Sequence, residues 1–241
     1  MCKKYVNSML GILDERFKAG QREFLILLLL FLLAAVPRMV DLGTFLTADE
    51  KNWIGRSHEF VTAFSEGRFN DMLQTTHPGV TTLWTVGIAT KIQASVSGIP
   101  FSFANMIHFV KTSQLPIALL NALAVPAMYL LLRRLFEPVT TPGESPSDTP
   151  GEFTRLVPLL AAVLIALNPF VIGYSRVVHV DALLMSFVFL AALALMIWAR
   201  QSGGQARRRW LITAAVLSGL AILTKAPAVF LVPWFFLVAI V

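Results

Sequence analysis

The run at 180–199, "VDALLMSFVFLAALALMIWA", holds one charged residue, Asp181, in 20 positions. A helix of that length, at about 1.5 Å per residue, crosses a hydrocarbon layer of about 30 Å. Similar runs stand at 24–40 ("FLILLLLFLLAAVPRMV"), 114–132 and 156–174. The 31 residues of 211–241 are apolar except for Lys225, too many for one span. The segment "TKAPA" at 224–228 breaks them, because Pro227 has no backbone N–H to donate. The alternative is a single helix kinked at Pro227. Only 14% of the 241 residues are charged, against about 25% in a soluble domain. These features predict an all-α polytopic membrane protein with a bundle of about six transmembrane helices.

The run at 24–40 also invites a signal-peptide reading. Its 23-residue lead is long, and Pro37-Arg38 stands where small residues would mark cleavage, so it reads as an uncleaved span. Residues 1–23 form a cytoplasmic N-terminus, and 24–241 form the membrane domain. The chain stops inside "WFFLVAIV", which reads as the N-terminal part of a longer protein whose C-terminal part is missing.

Net charge is +6. The excess lies beside the spans, where orientation rules account for it, and calls for no nucleic-acid partner. Cys2 is the single cysteine, so no intrachain disulfide is available. Basic groups at Lys3–Arg22, Arg133–Arg155 and Arg200–Arg209 all fall on the cytoplasmic side if the segment 41–112 lies outside. That parity decides residues 80–97, "VTTLWTVGIATKIQASVS". They read as a juxtamembrane amphipathic helix at the outer interface rather than as a span. The Pro-, Ser- and Thr-rich segment 137–153 has no apolar face to bury and reads as a disordered cytoplasmic linker.

Seven ionisable residues then gather on the outer leaflet. Asp49 and Glu50, in "FLTADEKNW", follow the first span. A carboxylate at that boundary suits a general base, and a pair suits a divalent cation. The competing reading is a capping box, with Thr47 three residues before Glu50. His77 precedes the turn-forming Pro78-Gly79, which suits a metal or phosphate contact or a structural loop. Arg176, His179 and Asp181 lie on a tight turn between spans, where ionisable groups are costly unless paired or used. An Arg176–Asp181 ion pair pinning the turn is the structural alternative. Lys225 reaches the same face, and snorkelling is its structural alternative.

Taken in order, "ADE" at 48–50, "HPG" at 77–79, "SRVVHVDALL" at 175–184 and "GLAILTKAPA" at 219–228 resemble the GT-C glycosyltransferases. The nearest branch resembles family 39, the protein O-mannosyltransferases and, more distantly, the lipid A aminoarabinose transferases. The resemblance covers roughly 24–241 and implies an enzyme with a GT-C-like bundle and a polyprenyl-phosphate sugar donor. It implies Asp49 as catalytic base, with Glu50 supporting it or joining it at a divalent metal cation. His77, Lys225 and Arg176 would face the donor phosphate, and His179 and Asp181 would support them. Gly79 departs from the family's usual proline and leaves the acceptor open among protein, lipid and polysaccharide.

The implied reaction is inverting sugar transfer to an acceptor hydroxyl at the extracytoplasmic face of the plasma membrane. A transporter or flippase of lipid-linked sugars is the main alternative. It would carry its ionisable groups near the bilayer midplane, whereas these sit at the rim. A noncatalytic membrane scaffold is the third possibility.

Overall fold

The computed structural model describes residues 2–75, 78–137, 152–201 and 203–240. His77 and residues 138–151, most of the expected linker, lie outside the described residues. The described residues form helices and short 3₁₀ turns. The α-helices are α1 (Cys2–Met39), α2 (Ala48–Ser65), α3 (Val80–Ser97), α4 (Ile107–Phe136) and α5 (Glu152–Leu167). They continue as α6 (Pro169–Ser175), α7 (Val180–Arg200), α8 (Gly204–Thr224) and α9 (Leu231–Ile240).

Two helices, Ile107–Phe136 and Val180–Arg200, are long and apolar enough to cross a membrane, and the chain is membrane-embedded. A third span would be the pair Leu156–Leu167 and Pro169–Ser175, which is bent by 58°. Six clear spans do not emerge from these lengths. α1 has Arg38 inside its apolar half, α8 opens on three arginines, Arg207–Arg209, and α9 has only 10 residues.

The bend corrects the expectation of one continuous helix over 156–174. Pro169 ends α5, and the Asn168 side chain takes the amides of Phe170 (3.0 Å) and Val171 (3.1 Å) as the cap of α6. Phe170 N is the amide that would have served the Ala166 carbonyl in an unbroken helix. That freed carbonyl instead accepts from Arg38 Nη1 at 2.9 Å, and the same nitrogen reaches the Ala34 carbonyl at 2.7 Å. Arg38 is fully buried between α1 and α5 and fastens the broken end of α5.

The chain after α1 folds as a helical hairpin. Residues 80–97 are helical, as expected, and pack on α2. Their buried face is Thr82, Leu83, Val86, Gly87 and Thr90, a helical repeat. The approach is closest at Gly87, where an added Cβ would lie 2.2 Å from the Ser57 carbonyl oxygen. Trp53, Ile54, Phe60, Leu83 and Val86 then join Val110 and Ile117 of α4, Val178 of the α6–α7 turn, and Val180 and Leu183 at the start of α7 in one apolar cluster. This cluster brings the first turn of α2 against the turn between α6 and α7. At the other break, α8 ends at Thr224, and the 3₁₀ turn Ala226–Phe230 leads into α9, so the "TKAPA" break is present.

Candidate functional site

Thr47 caps α2. Its hydroxyl accepts from Glu50 N at 3.2 Å while Glu50 Oε2 accepts from Thr47 N at 2.7 Å, so the capping-box reading of "TADE" holds. The other oxygen, Oε1, accepts from Gln114 Nε2 of α4 and from Val178 N of the α6–α7 turn, each at 2.8 Å. Glu50 is fully buried, and three N–H groups from three parts of the chain hold its charge. Gln114 extends the tie, accepting from Gly43 N (2.8 Å) and donating to the Phe45 carbonyl (3.0 Å). The buried amide thus fixes the link between α1 and α2.

Asp49 does the opposite of its neighbour. It is exposed in the first turn of α2 and makes no hydrogen bond or ion pair to the described residues. The doublet therefore points two ways, one carboxylate into the protein and one out of it. That does not fit two acids on a single cation. Among the described residues, no group of three or more His, Cys, Asp or Glu side chains is placed to hold a metal ion.

One turn along α2 from Asp49, Trp53 meets the edge of the His179 ring at 6.3 Å between centroids. His179 caps α7, and its Nδ1 lies 3.1 Å from Asp181 Oδ2. The second Asp181 oxygen accepts from Lys225 Nζ at 2.6 Å. His179, Asp181 and Lys225 form one partly buried cluster that ties the start of α7 to the end of α8. The structural alternative read from sequence, an Arg176–Asp181 pair, is absent, because Asp181 turns to Lys225 instead. Lys225 is accordingly paired with Asp181, which its snorkelling reading did not foresee.

Gly79 and the start of α3 approach the same place. Gly79 N donates to the Leu223 carbonyl at 3.1 Å, and the Thr81 and Thr224 hydroxyls are 2.7 Å apart. Gly79 has φ +154°, and an added Cβ would lie 2.6 Å from the Trp53 ring. A proline there would lose the amide donor and the backbone angle together. The glycine at position 79 thus has a local physical cause in this chain.

Residues 151–241 match the family model of the dolichyl-phosphate-mannose-protein mannosyltransferases. The match begins beside α5 and takes in Arg176, His179, Asp181 and Lys225, and it leaves out Asp49 and Glu50. No curated protein and no solved structure matches the chain.

Arg176 stands apart from the Asp181 cluster. Its Nη2 donates to the Val40 carbonyl at 2.5 Å. It lines a cavity of ≈ 330 Å³ with Asp41, Leu42, Phe45, Gln114, Gly173 and Val177. The five residues from Arg176 to Val180 therefore run from this cavity, past the amide of Val178 held by Glu50, to the Asp181 cluster. Sequence reasoning missed Arg38, Gln114 and Asn168. Arg38 and Gln114 were legible only as polar residues inside apolar runs, and Asn168 as part of a turn-prone Asn-Pro pair.

Proposed function

We propose that this chain carries the reaction centre of an inverting, polyprenyl-phosphate-dependent glycosyltransferase. In this reading it is a multi-pass plasma-membrane protein working at the extracytoplasmic face. The observation that carries the proposal is the division of labour in the acid doublet. Asp49 is exposed and unpartnered beside a buried Glu50 whose bonds reach the α6–α7 turn. That turn belongs to the segment with the mannosyltransferase family match.

Asp49 takes the proton of the acceptor hydroxyl as its oxygen attacks the anomeric carbon. The bond from that carbon to the phosphate oxygen breaks on the opposite face, and polyprenyl phosphate departs with the electron pair. Arg176, Lys225 and His77 supply positive charge to the departing phosphate. Asp181 and His179 hold Lys225 in place. Glu50 positions Asp49 and the turn, and no step is routed through a metal. The acceptor is a hydroxyl of a protein, lipid or polysaccharide.

The test uses the full protein in nanodiscs with a panel of polyprenyl-phosphate sugars, followed by mass analysis of the products. Asp49→Asn should lower transfer by about 10²–10⁴-fold, the usual contribution of a general base, and leave donor binding intact. Transfer at the native rate by Asp49→Asn would remove Asp49 from the mechanism. Movement of intact lipid-linked sugar across the bilayer without transfer would favour a flippase instead.

A further inference from the structure

A second cavity, ≈ 340 Å³ in volume, lies at the opposite end of the spans, between the end of α4 and the first turns of α8. It is lined by Arg134, Ala206, Arg209, Trp210 and Thr213. None of these takes part in the reaction proposed above. We propose that this cavity binds the head group of an anionic phospholipid of the surrounding bilayer.

Charge is the first argument. Two arginines, Arg134 and Arg209, line the cavity; Arg207 and Arg208 precede Arg209 on α8, and Arg200 Nη2 donates to the Glu137 carbonyl just past α4 at 3.4 Å. Arg134 pairs with Glu137, and the neighbouring Arg133 pairs with Glu23. Arg207 lies over the Trp198 ring at 5.0 Å. The guanidinium of Arg209 has no hydrogen-bond or ion-pair partner among the described residues. A fork of N–H donors with no acceptor suits a phosphodiester oxygen pair.

Shape and depth are the second argument. The volume is at the lower end of small-molecule sites, about 300–1,000 Å³. Trp210 packs its ring on the core cluster of Met128, Leu135, Leu193 and Ile197, which makes a firm wall. Tryptophan is common at the head-group level of membranes. Ile212 and Val216 of α8 and Leu130 and Phe136 of α4, the two helices that line the cavity, are exposed apolar residues available to acyl chains. Basic pockets between transmembrane helices are recurrent sites for anionic lipid heads.

The test needs no sugar transfer, so it stands or falls separately from the proposed activity. The full protein is placed in nanodiscs of phosphatidylcholine with a minor fraction of phosphatidylglycerol, and the lipid retained on release is weighed by native mass spectrometry. The native protein should retain phosphatidylglycerol over phosphatidylcholine. Arg134→Gln/Arg209→Gln should lower that preference roughly twenty-five-fold, from about five-fold for each arginine near a charged surface. Ala206→Phe, at an exposed position, fills the cavity without changing charge and should abolish the preference. Lys51→Gln/Lys91→Gln on the α2–α3 hairpin removes the same charge elsewhere and should leave it unchanged.

The proposal is overturned if Ala206→Phe keeps the native preference, because the lipid is then only adsorbed by surface charge. Equal loss in the Lys51→Gln/Lys91→Gln protein overturns it for the same reason. Inorganic phosphate that raises the melting temperature as much as phosphatidylglycerol does would replace the lipid with a soluble ion.

Discussion

Glu50 Oε1 accepts the backbone amide of Val178 at 2.8 Å, across 128 residues of sequence. The bond joins the first turn of α2 to the turn that carries Arg176 and His179 and leads into Asp181 at the start of α7. Glu50→Ala would strip a partner from three N–H groups at once, those of Thr47, Gln114 and Val178. Each buried donor left unsatisfied costs about 1–3 kcal/mol. Glu50→Ala is therefore expected to lower the melting temperature in detergent by far more than Asp49→Asn, which alters an exposed side chain worth about ±0.5 kcal/mol. Equal melting temperatures for the two variants would contradict the tie described for Glu50.

Gly79 and Trp53 set a second prediction. Gly79→Ala must place a methyl group 2.6 Å from the indole while holding φ +154°. Overpacking costs about 1–3 kcal/mol, and the backbone angle adds to it. Lower stability is expected in thermal unfolding, with Trp53→Leu partly relieving it by making room. A Gly79→Ala protein as stable as the native one would mean that the turn does not sit against the indole.

These contacts show how much was legible in the chain. The helical nature of 80–97, the break at "TKAPA" and the capping box at "TADE" rest on local chemistry, namely apolar spacing, a missing amide and a short hydroxyl-to-acid spacing. Those signals survive folding because few residues decide them. The bond between Glu50 and Val178 and the choice of Asp181 by Lys225 depend on which turns meet in space. Nothing near Asp181 in sequence separates Arg176, five residues away, from Lys225, 44 residues away. The bend at Asn168 was masked by apolar flanks that read as one span. The buried Arg38 that fastens it is a tertiary feature.

The Asp181–Lys225 bond, at 2.6 Å with both side chains about one-third exposed, is open to a double-mutant cycle. Asp181→Asn, Lys225→Met and the double variant should give a coupling near the upper end of the exposed range, about 1 kcal/mol, weakened by salt. In the proposed enzyme, Lys225→Met should also raise the KM for the lipid donor. Asp181→Asn would free the ammonium and should change KM less than kcat, because positioning rather than charge is lost. Zero coupling would mean that the pair is incidental to the fold.

His58 gives the pH dependence. Its ring stacks on Phe101 at 4.2 Å between centroids, and its Nδ1 lies 3.1 Å from Thr90 Oγ1. Burial, and secondarily the Lys91 ammonium, lowers its pKa from the ordinary 6.5, while Glu59 pulls weakly the other way. A lowered folded pKa means that the unfolded chain binds the proton more readily than the folded one. The stabilising contribution is therefore complete above about pH 6.5 and is lost as pH falls through the lower folded value. Melting temperature should decline from pH 7 towards pH 5, and His58→Gln should flatten that part of the profile while leaving the acid limb set by carboxylates. Lys91→Gln removes the repulsion and should make the decline smaller and end it at a higher pH, because the folded pKa then rises towards its unfolded value. A decline of the same size and position in His58→Gln would assign the effect to another group.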